Sequence, residues 1–239
     1  MVHHIAMEFP MPPQKALFSP KTFRFFRELG RNNRKEWMDE NRGCYQDHIV
    51  QPFRALLEGL TPAVHKLDAG FDVGGRTGTN FSRINRDIRF ARDKSPYRTQ
   101  MYLMFPGPGG KGWQGGQLYV GISTDMVTAG FRIYSDYKSK TSSLAQIARP
   151  RVLANPRWIS KQKRRLAKRY ESYWYSSEKR EWTKHPGWPI TPEEWKKLLG
   201  WIVRRKMTPS AAARANFPKD IANTFRDLFP LYEFTSLRS

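Results

Sequence analysis

The chain's 239 residues carry 42 lysines and arginines against 21 acidic side chains, a formal charge of +21, with 39% hydrophobic and 14% aromatic residues. That content is enough to bury the core of one large or two small domains, and no apolar run reaches the roughly 18 to 20 residues of a membrane-spanning helix. The opening MVHHIAMEFPMPPQK lacks the basic, apolar and small-residue regions of a secretory signal, so a cytoplasmic protein is expected, and the single Cys44 excludes an internal disulfide and a cysteine-rich zinc site.

Cys44 itself reads as a small apolar helix residue rather than a nucleophile. A charge of this size attracts polyanions by counterion release before any specific contact forms, so nucleic acid is the first class of partner to consider. The charge is uneven: residues 1–137 hold 19 basic and 13 acidic side chains, and residues 138–239 hold 23 and 8. A basic composition also occurs in proteins that bind no nucleic acid, so it sets a direction and not a function.

Residues 1–17, with prolines at 10, 12 and 13, read as an extended lead-in to one domain over 18–239. In LFSPKTFRFFRELG, Ser19 is placed to cap, Pro20 suits the first helical position, Phe18 and Phe23 have the spacing of a hydrophobic staple, and Gly30 is placed to end the helix. A second helix is expected from Trp37, Asn41, Tyr45 and Ile49 at four-residue spacing through Leu60, with Pro52 starting a new helix or kinking this one. MYLMF, QLYVGIST and VTAGFRIYS read as antiparallel strands. The glycine-rich connection PGPGGKGWQGGQ is a hairpin link and not a phosphate loop, because Gly112 and Trp113 follow Lys111 where Ser or Thr is required. From Tyr137 onward SSLAQIARPRVL, ISKQKRRLAKRYESYW, TPEEWKKLLGWIVRRK and FPKDIANTFRDLFPLY read as helices. In the third of these Thr191, Pro192 and Glu194 make the opening, and Trp195, Leu198, Leu199 and Ile202 share a face. The expectation is an α+β fold, with two N-terminal helices and a strongly basic helical C-terminal part from about residue 138 packed on a small antiparallel sheet.

The stretch SRINRDIRFARDKSPYR, residues 82–98, holds six cations and two aspartates in seventeen positions. As a strand it sets Ile84, Arg86, Ile88 and Phe90 on one face; as a helix it aligns Ile84 with Ile88, and periodicity does not choose. Either way Asp87 and Asp93 are close enough to orient neighbouring guanidinium groups, whose remaining donors suit phosphate or carboxylate.

This stretch resembles the Ser-Arg-Ile-x-Arg-Asp-x-Arg-Phe-x-x-Asp-Lys-x-Pro-Tyr signature of a bacterial and fungal family of uncharacterised proteins, the domain-of-unknown-function family 2461. FFRELGRNNRKEWMDENRGCY, with Asn33, Trp37, Asn41 and Tyr45, is similar to the family's opening helices, and LYVGIS with AGFRIY to its strand pair. The resemblance runs from about Phe18 to Tyr134 and returns at FPLYEF. It departs between about Lys161 and Trp188, a more basic and more aromatic segment than the family implies. It implies one α+β domain and no activity.

Three functional readings follow from the residues. In the leading one, Arg83, Arg86, Arg89, Lys94 and Arg98 bind an anionic partner, nucleic acid or a phosphorylated ligand, with Asp87 and Asp93 orienting them. Lys161, Arg164, Arg165 and Lys168 on a helix from Ser160, with Tyr173 and Trp174 as stacking surfaces, add nucleic-acid contacts, unless that helix is simply solvated and its aromatics turn inward. In the second, Asp87, Asp93 and Lys94 are catalytic in a metal-assisted phosphodiester hydrolase or nuclease, the only reading that calls for a cofactor, Mg²⁺. The acidic-x-Lys spacing of a common nuclease core is absent. In the third, the arginines pair with the aspartates to join the second helix to the sheet and bind nothing. His3, His4, His48, His65 and His185 show no metal-ligand spacing, and neither a nucleophile elbow nor a dinucleotide fingerprint is present. Whether the protein is an enzyme is left open.

Overall fold

The computed structural model describes residues 16–107, 115–135, 142–178 and 181–236. Most of the expected lead-in, His3, His4 and the glycine-rich link around Lys111 lie outside them.

Helix α1 (Pro20–Arg31) begins as its sequence requires: the Ser19 hydroxyl accepts from the Lys21 amide at 3.3 Å, Pro20 fills the first turn, and Phe18 and Phe23 are buried on either side of the cap. It runs past Gly30, because Asn32 closes it by donating both its backbone N–H and its side-chain amide to the Glu28 carbonyl, at 3.0 and 3.1 Å. The expected second helix is α2 (Lys35–Glu40), α3 (Arg42–Tyr45), a π-helical turn (Gln46–Val50) and α4 (Gln51–Leu67). Cys44 lies on α3 but is exposed. The π turn directly precedes Pro52, which lacks the N–H that would close an α-helical bond and whose ring crowds the preceding carbonyls. The same arrangement recurs where a π turn (Leu144–Ala148) leads into α5 (Arg149–Ala154), with Pro150 in its first turn.

Strands β1 (Gln100–Pro106), β2 (Gln117–Ser123) and β3 (Val127–Tyr134) form the expected antiparallel meander. The C-terminal part departs from expectation. Helix α6 (Arg157–Leu166) stops at Leu166, and ESYWYSSE forms β4 (Glu171–Glu178), paired with β5 (Glu181–Pro186). Helix α7 (Pro192–Lys197) is capped by Thr191 and Glu194 as read, but Leu198–Met207 is strand β6 and not its continuation. Leu198, Leu199 and Ile202 therefore do not share a helix face with Trp195. The reason is position. β6 lies between β3 and β4, buried on both sides over its first half, so LLGWIV is a continuous apolar run without the alternation that marks a half-exposed strand. The sheet is antiparallel and six-stranded, in the order β1-β2-β3-β6-β4-β5. Helices α8 (Pro209–Ala212) and α9 (Phe217–Thr235) end the fold.

The α+β class is as expected, with a sheet twice the anticipated width. One face of it, carrying Leu103, Phe105, Leu118, Val120, Phe131, Trp201 and Val203, packs in a single apolar cluster with α1, α4 and α9. Phe105 meets Phe225 of α9 edge-on at 5.5 Å between ring centroids, and Phe131 meets Trp201 at 5.6 Å.

The register sets a different population on the other face: Tyr102, Tyr119, Arg132, Tyr134, Arg204, Tyr173 and Tyr175. Burial of its phenol pushes Tyr134 up to about 12, and pushes Tyr119 and Tyr173 higher still, against an ordinary 10.0. A folded state that holds these protons more tightly than the unfolded chain contributes stability that is complete below pH 10.0 and lost, for Tyr134, as the pH rises to about 12. In an alkaline titration the phenolate absorbance of this group is therefore expected to rise only together with loss of the near-ultraviolet circular dichroism. A single transition near 10.0 with the fold intact would contradict this arrangement.

Candidate anion-binding site

Residues 82–98 form neither a helix nor a continuous strand. The segment before them runs along the free edge of β1: Met104 N–H donates to the Asn80 carbonyl at 2.7 Å, Ser82 N–H to the Tyr102 carbonyl at 3.0 Å, and Tyr102 N–H to the Ser82 hydroxyl at 2.9 Å. The chain then narrows to one antiparallel bridge between Asn85 and Tyr97, held by Arg86 N–H to the Pro96 carbonyl at 2.8 Å and Arg98 N–H to the Ile84 carbonyl at 2.7 Å. Residues 86–96 form the loop beyond it.

Apolar side chains seat this loop. Phe81, Ile84 and Tyr97 are buried in the main core, and Asn33, between α1 and α2, clamps Tyr97 by accepting its N–H and donating to its carbonyl, both at 2.9 Å. The join between helices and loop is thus an amide and three apolar side chains. The ion pairs lie within the loop.

Those pairs divide the cations into two groups. Asp87 receives Arg89 bidentately, Nε at 3.0 Å and Nη2 at 2.7 Å. Asp93 accepts the Ser95 N–H at 2.9 Å and hydroxyl at 2.6 Å on one oxygen and the Arg86 guanidinium on the other, while a second Arg86 bond reaches the Ser95 carbonyl at 3.1 Å. Lys94 donates to the Ile88 carbonyl at 3.1 Å. Arg89, Lys94 and part of Arg86 therefore hold the loop's own shape. Arg83 and Arg98 are exposed and make no ion pair among the described residues.

The hydrogen bonds from Ser95, and then Arg86, hold the Asp93 carboxyl far below the usual carboxylate range, and Arg89 lowers Asp87 in the same direction. Both aspartates are anions at neutral pH and act only as acceptors. All four carboxylate oxygens already accept hydrogen bonds, and no group of three His, Cys, Asp or Glu that could hold a metal occurs among the described residues.

Arg83 stands where two open cavities meet. One, of about 410 Å³, runs toward the helices and is lined by Arg42, Arg54 and Arg83 with Tyr45 and Phe81. The other, of about 440 Å³, opens toward the sheet and is lined by Arg83, Arg86 and Arg98 with Asp87 and Tyr102. Ser82, Arg83 and Asn85 belong to both. Three of the five arginines make no ion pair among the described residues: Arg54, which lies 5.8 Å from the Phe81 ring centroid, and Arg83 and Arg98; Arg42 meets Asp39 at 2.6 Å with one nitrogen, and Arg86 meets Asp93. The cavities are cationic, with one acidic side chain between them.

A family model described as "Conserved hypothetical protein (DUF2461)" matches residues 21–234. The chain belongs to the DUF2461 family. No curated protein matches it.

The second set of residues read from the sequence is dispersed in this DUF2461 protein. Lys161, Arg164 and Arg165 are exposed on α6 and Lys168 in the turn after it, with Arg165 turned back onto Gln162 at 2.8 Å. Tyr173 and Trp174 do not continue that helix. As neighbours on β4 they point to opposite sides of the sheet: Trp174 enters the core, stacked on His185 at 4.0 Å, and Tyr173 lies under Lys184 and Arg204, 4.1 and 5.0 Å from its centroid. The run of three aromatic residues Tyr173, Trp174 and Tyr175, a type enriched in strands, is the signal for this strand, outweighed in the sequence by the helical run before it.

Sequence reasoning also missed Arg42 and Arg54, which the helices bring to Arg83 from 41 and 29 residues away, and the paired use of Asn33 and Asn80. A buried asparagine has no periodic signature.

Proposed function

We propose that this DUF2461 protein binds a phosphate-bearing partner, a nucleic acid or a phosphorylated ligand, in the two cavities that meet at Arg83. The observation that carries this reading is the division among the cations: Asp87 and Asp93 are occupied by Arg89 and Arg86, while Arg83 and Arg98 line the cavity without a carboxylate. Guanidinium groups placed beside an ordered loop present donors to a phosphate bidentately at little cost in reorganisation. In this reading Arg86, Arg89, Lys94, Asp87 and Asp93 fix the loop, with Arg86 also facing the cavity, and Arg42 and Arg54 widen the site. The basic side chains of α6 add nonspecific attraction. No observation favours the hydrolase alternative, in which Asp87, Asp93 and Lys94 would act on a bound Mg²⁺, and the ion pairs of the scaffold alternative lie within the loop instead of between helix and sheet. The single cysteine, exposed on α3, suits a reducing compartment, and the cytoplasm is the proposed location.

Anisotropy titration of labelled oligonucleotides over a salt series, with wild type, Arg83→Ala and Arg98→Ala, tests this. Each variant is expected to weaken binding about 5- to 10-fold and to flatten the salt slope by roughly one counterion. Inorganic pyrophosphate is expected to compete. Wild type and both variants binding alike at every salt concentration would refute the site.

A further inference from the structure

We propose that Phe90, at the tip of the loop 86–96, stacks on an unpaired base of a nucleic-acid strand whose phosphates lie in the arginine cavities. This rests on the reading of those cavities above and selects nucleic acid from its two ligand classes.

Phe90 is 94% exposed, whereas the other exposed large apolar side chains among the described residues, Leu153, Trp182 and Ile190, are 37 to 44% exposed. The loop nevertheless fixes where the ring stands. Ala91 N–H donates to the Ile88 carbonyl at 3.3 Å, closing a bend around Phe90, and Lys94 Nζ donates to the carbonyls of Ile88 at 3.1 Å and Arg89 at 3.4 Å. Before the bend Asp87 accepts the Arg89 N–H at 3.2 Å as well as its guanidinium, and after it Asp93 holds Ser95 and Arg86. Arg89, so held, comes within 5.9 Å of the Phe90 ring centroid and still leaves the residue open to solvent. None of these hydrogen bonds uses the ring. An ordered backbone that carries an aromatic side chain outward loses little freedom when that side chain meets another molecule.

The surroundings of the ring select its occupant. Asp87 lines the second cavity and Phe90 is three residues on, at most about 11 Å of chain, so a polymer anchored at Arg83 and Arg98 reaches the ring, while a small ligand confined to the cavity leaves it unused. Cations flank it: Arg89 and Lys94 on either side, and Arg92, which is exposed and makes no ion pair among the described residues. A negatively charged chain is drawn to such a tip. The apolar contact is a single ring, since Ile88 and Ala91 beside it are half-buried. One ring covers one base, whereas a lipid surface or a protein pocket calls for a broader apolar face. Prising apart a paired step costs about as much as one stacked ring returns, so the base is an unpaired one.

The test compares DNA and RNA single strands of about ten nucleotides with a DNA duplex and an abasic sugar-phosphate strand of the same length, against wild type, Phe90→Ala, Phe90→Trp and Arg83→Ala, with circular dichroism reporting each fold. Wild type is expected to bind the base-bearing single strands at least about 5-fold more tightly than the abasic one, the lower end of one stacked base. Phe90→Ala should bring them down to the abasic affinity, and Phe90→Trp should keep the preference. Equal affinity of wild type for base-bearing and abasic strands, or a preference that Phe90→Ala leaves intact, overturns the stacking role, and the cavities survive if Arg83→Ala still weakens abasic binding. Phe90→Ala weakening the duplex as much as the single strands overturns the choice of an unpaired base. Phe90→Ala binding phosphatidylserine vesicles less well than wild type, with every strand bound as before, overturns the proposal in favour of a lipid surface. If no strand binds, both readings fall.

Discussion

Asn80→Ala is expected to destabilise the protein by about 3 to 5 kcal/mol, the summed cost of stranding buried polar groups at roughly 1 to 3 kcal/mol each. The Asn80 side chain is fully buried and has three backbone partners: it accepts the Arg76 N–H at 3.1 Å and donates to the carbonyls of Asp72 at 2.6 Å and Met104 at 3.2 Å. Alanine removes the side-chain partner of all three, in one buried and two partly buried hydrogen bonds. The same amide ties the segment before the loop to the edge of β1, so the arginine cavities should be lost in parallel with stability, and urea unfolding and oligonucleotide titration of one sample would show both. Asn80→Asp is the sharper control. It keeps the shape but turns a second acceptor toward two carbonyl oxygens, so it should be at least as damaging at neutral pH and recover in part on acidification, beginning above the ordinary carboxyl value of about 4, because burial beside two carbonyl oxygens favours the protonated form. An Asn80→Asp protein as stable as wild type at pH 7 would refute this account of the site.

The second large effect is expected at Gly130. It pairs with Arg204 in the middle of the sheet, and a Cβ there would stand 2.4 Å from the Val203 carbonyl oxygen and 2.9 Å from the Arg204 Cα. These are backbone atoms of the central strand and cannot swing aside. Gly130→Ala should cost about 3 kcal/mol, the upper range of overpacking, and lower the melting temperature by about 6 to 12 °C for a chain of this size. Gly43→Ala is the matched control, since a Cβ at that helical position meets nothing within 4 Å. If both substitutions leave the melting temperature unchanged, β3 and β6 are not seated as described.

The N-terminal half was legible because its signals are local. Ser19-Pro20, Pro52 and the alternation in β2 and β3 each act within a few residues, and the structure follows them. The C-terminal half was not, because Leu198–Met207 owes its conformation to neighbours on both sides. A run such as LLGWIV, next to a well-capped helix opening, satisfies a helical pattern until β3 and β4 compete for it. The charged loop was visible as a concentration of charge, and which cations stay available was not, since that depends on Asp87 taking Arg89 and Asp93 taking Arg86. The tyrosine-bearing face of the sheet was hidden for a further reason. Its tyrosines come from four strands, and only the register places them together.

The strand order has a consequence for how the chain assembles. The meander β1-β2-β3 and the hairpin β4-β5 are both complete before β6 is synthesised, yet neither touches the other within the sheet until β6 enters between them. A ribosome-bound chain therefore displays two open edges, β3 and β4, each a template for pairing with another molecule, and the last strand made closes both at once. Fragments ending before Leu198 should be sticky where the whole protein is not, and the sheet should gain its protection from hydrogen exchange in one late cooperative step and not strand by strand.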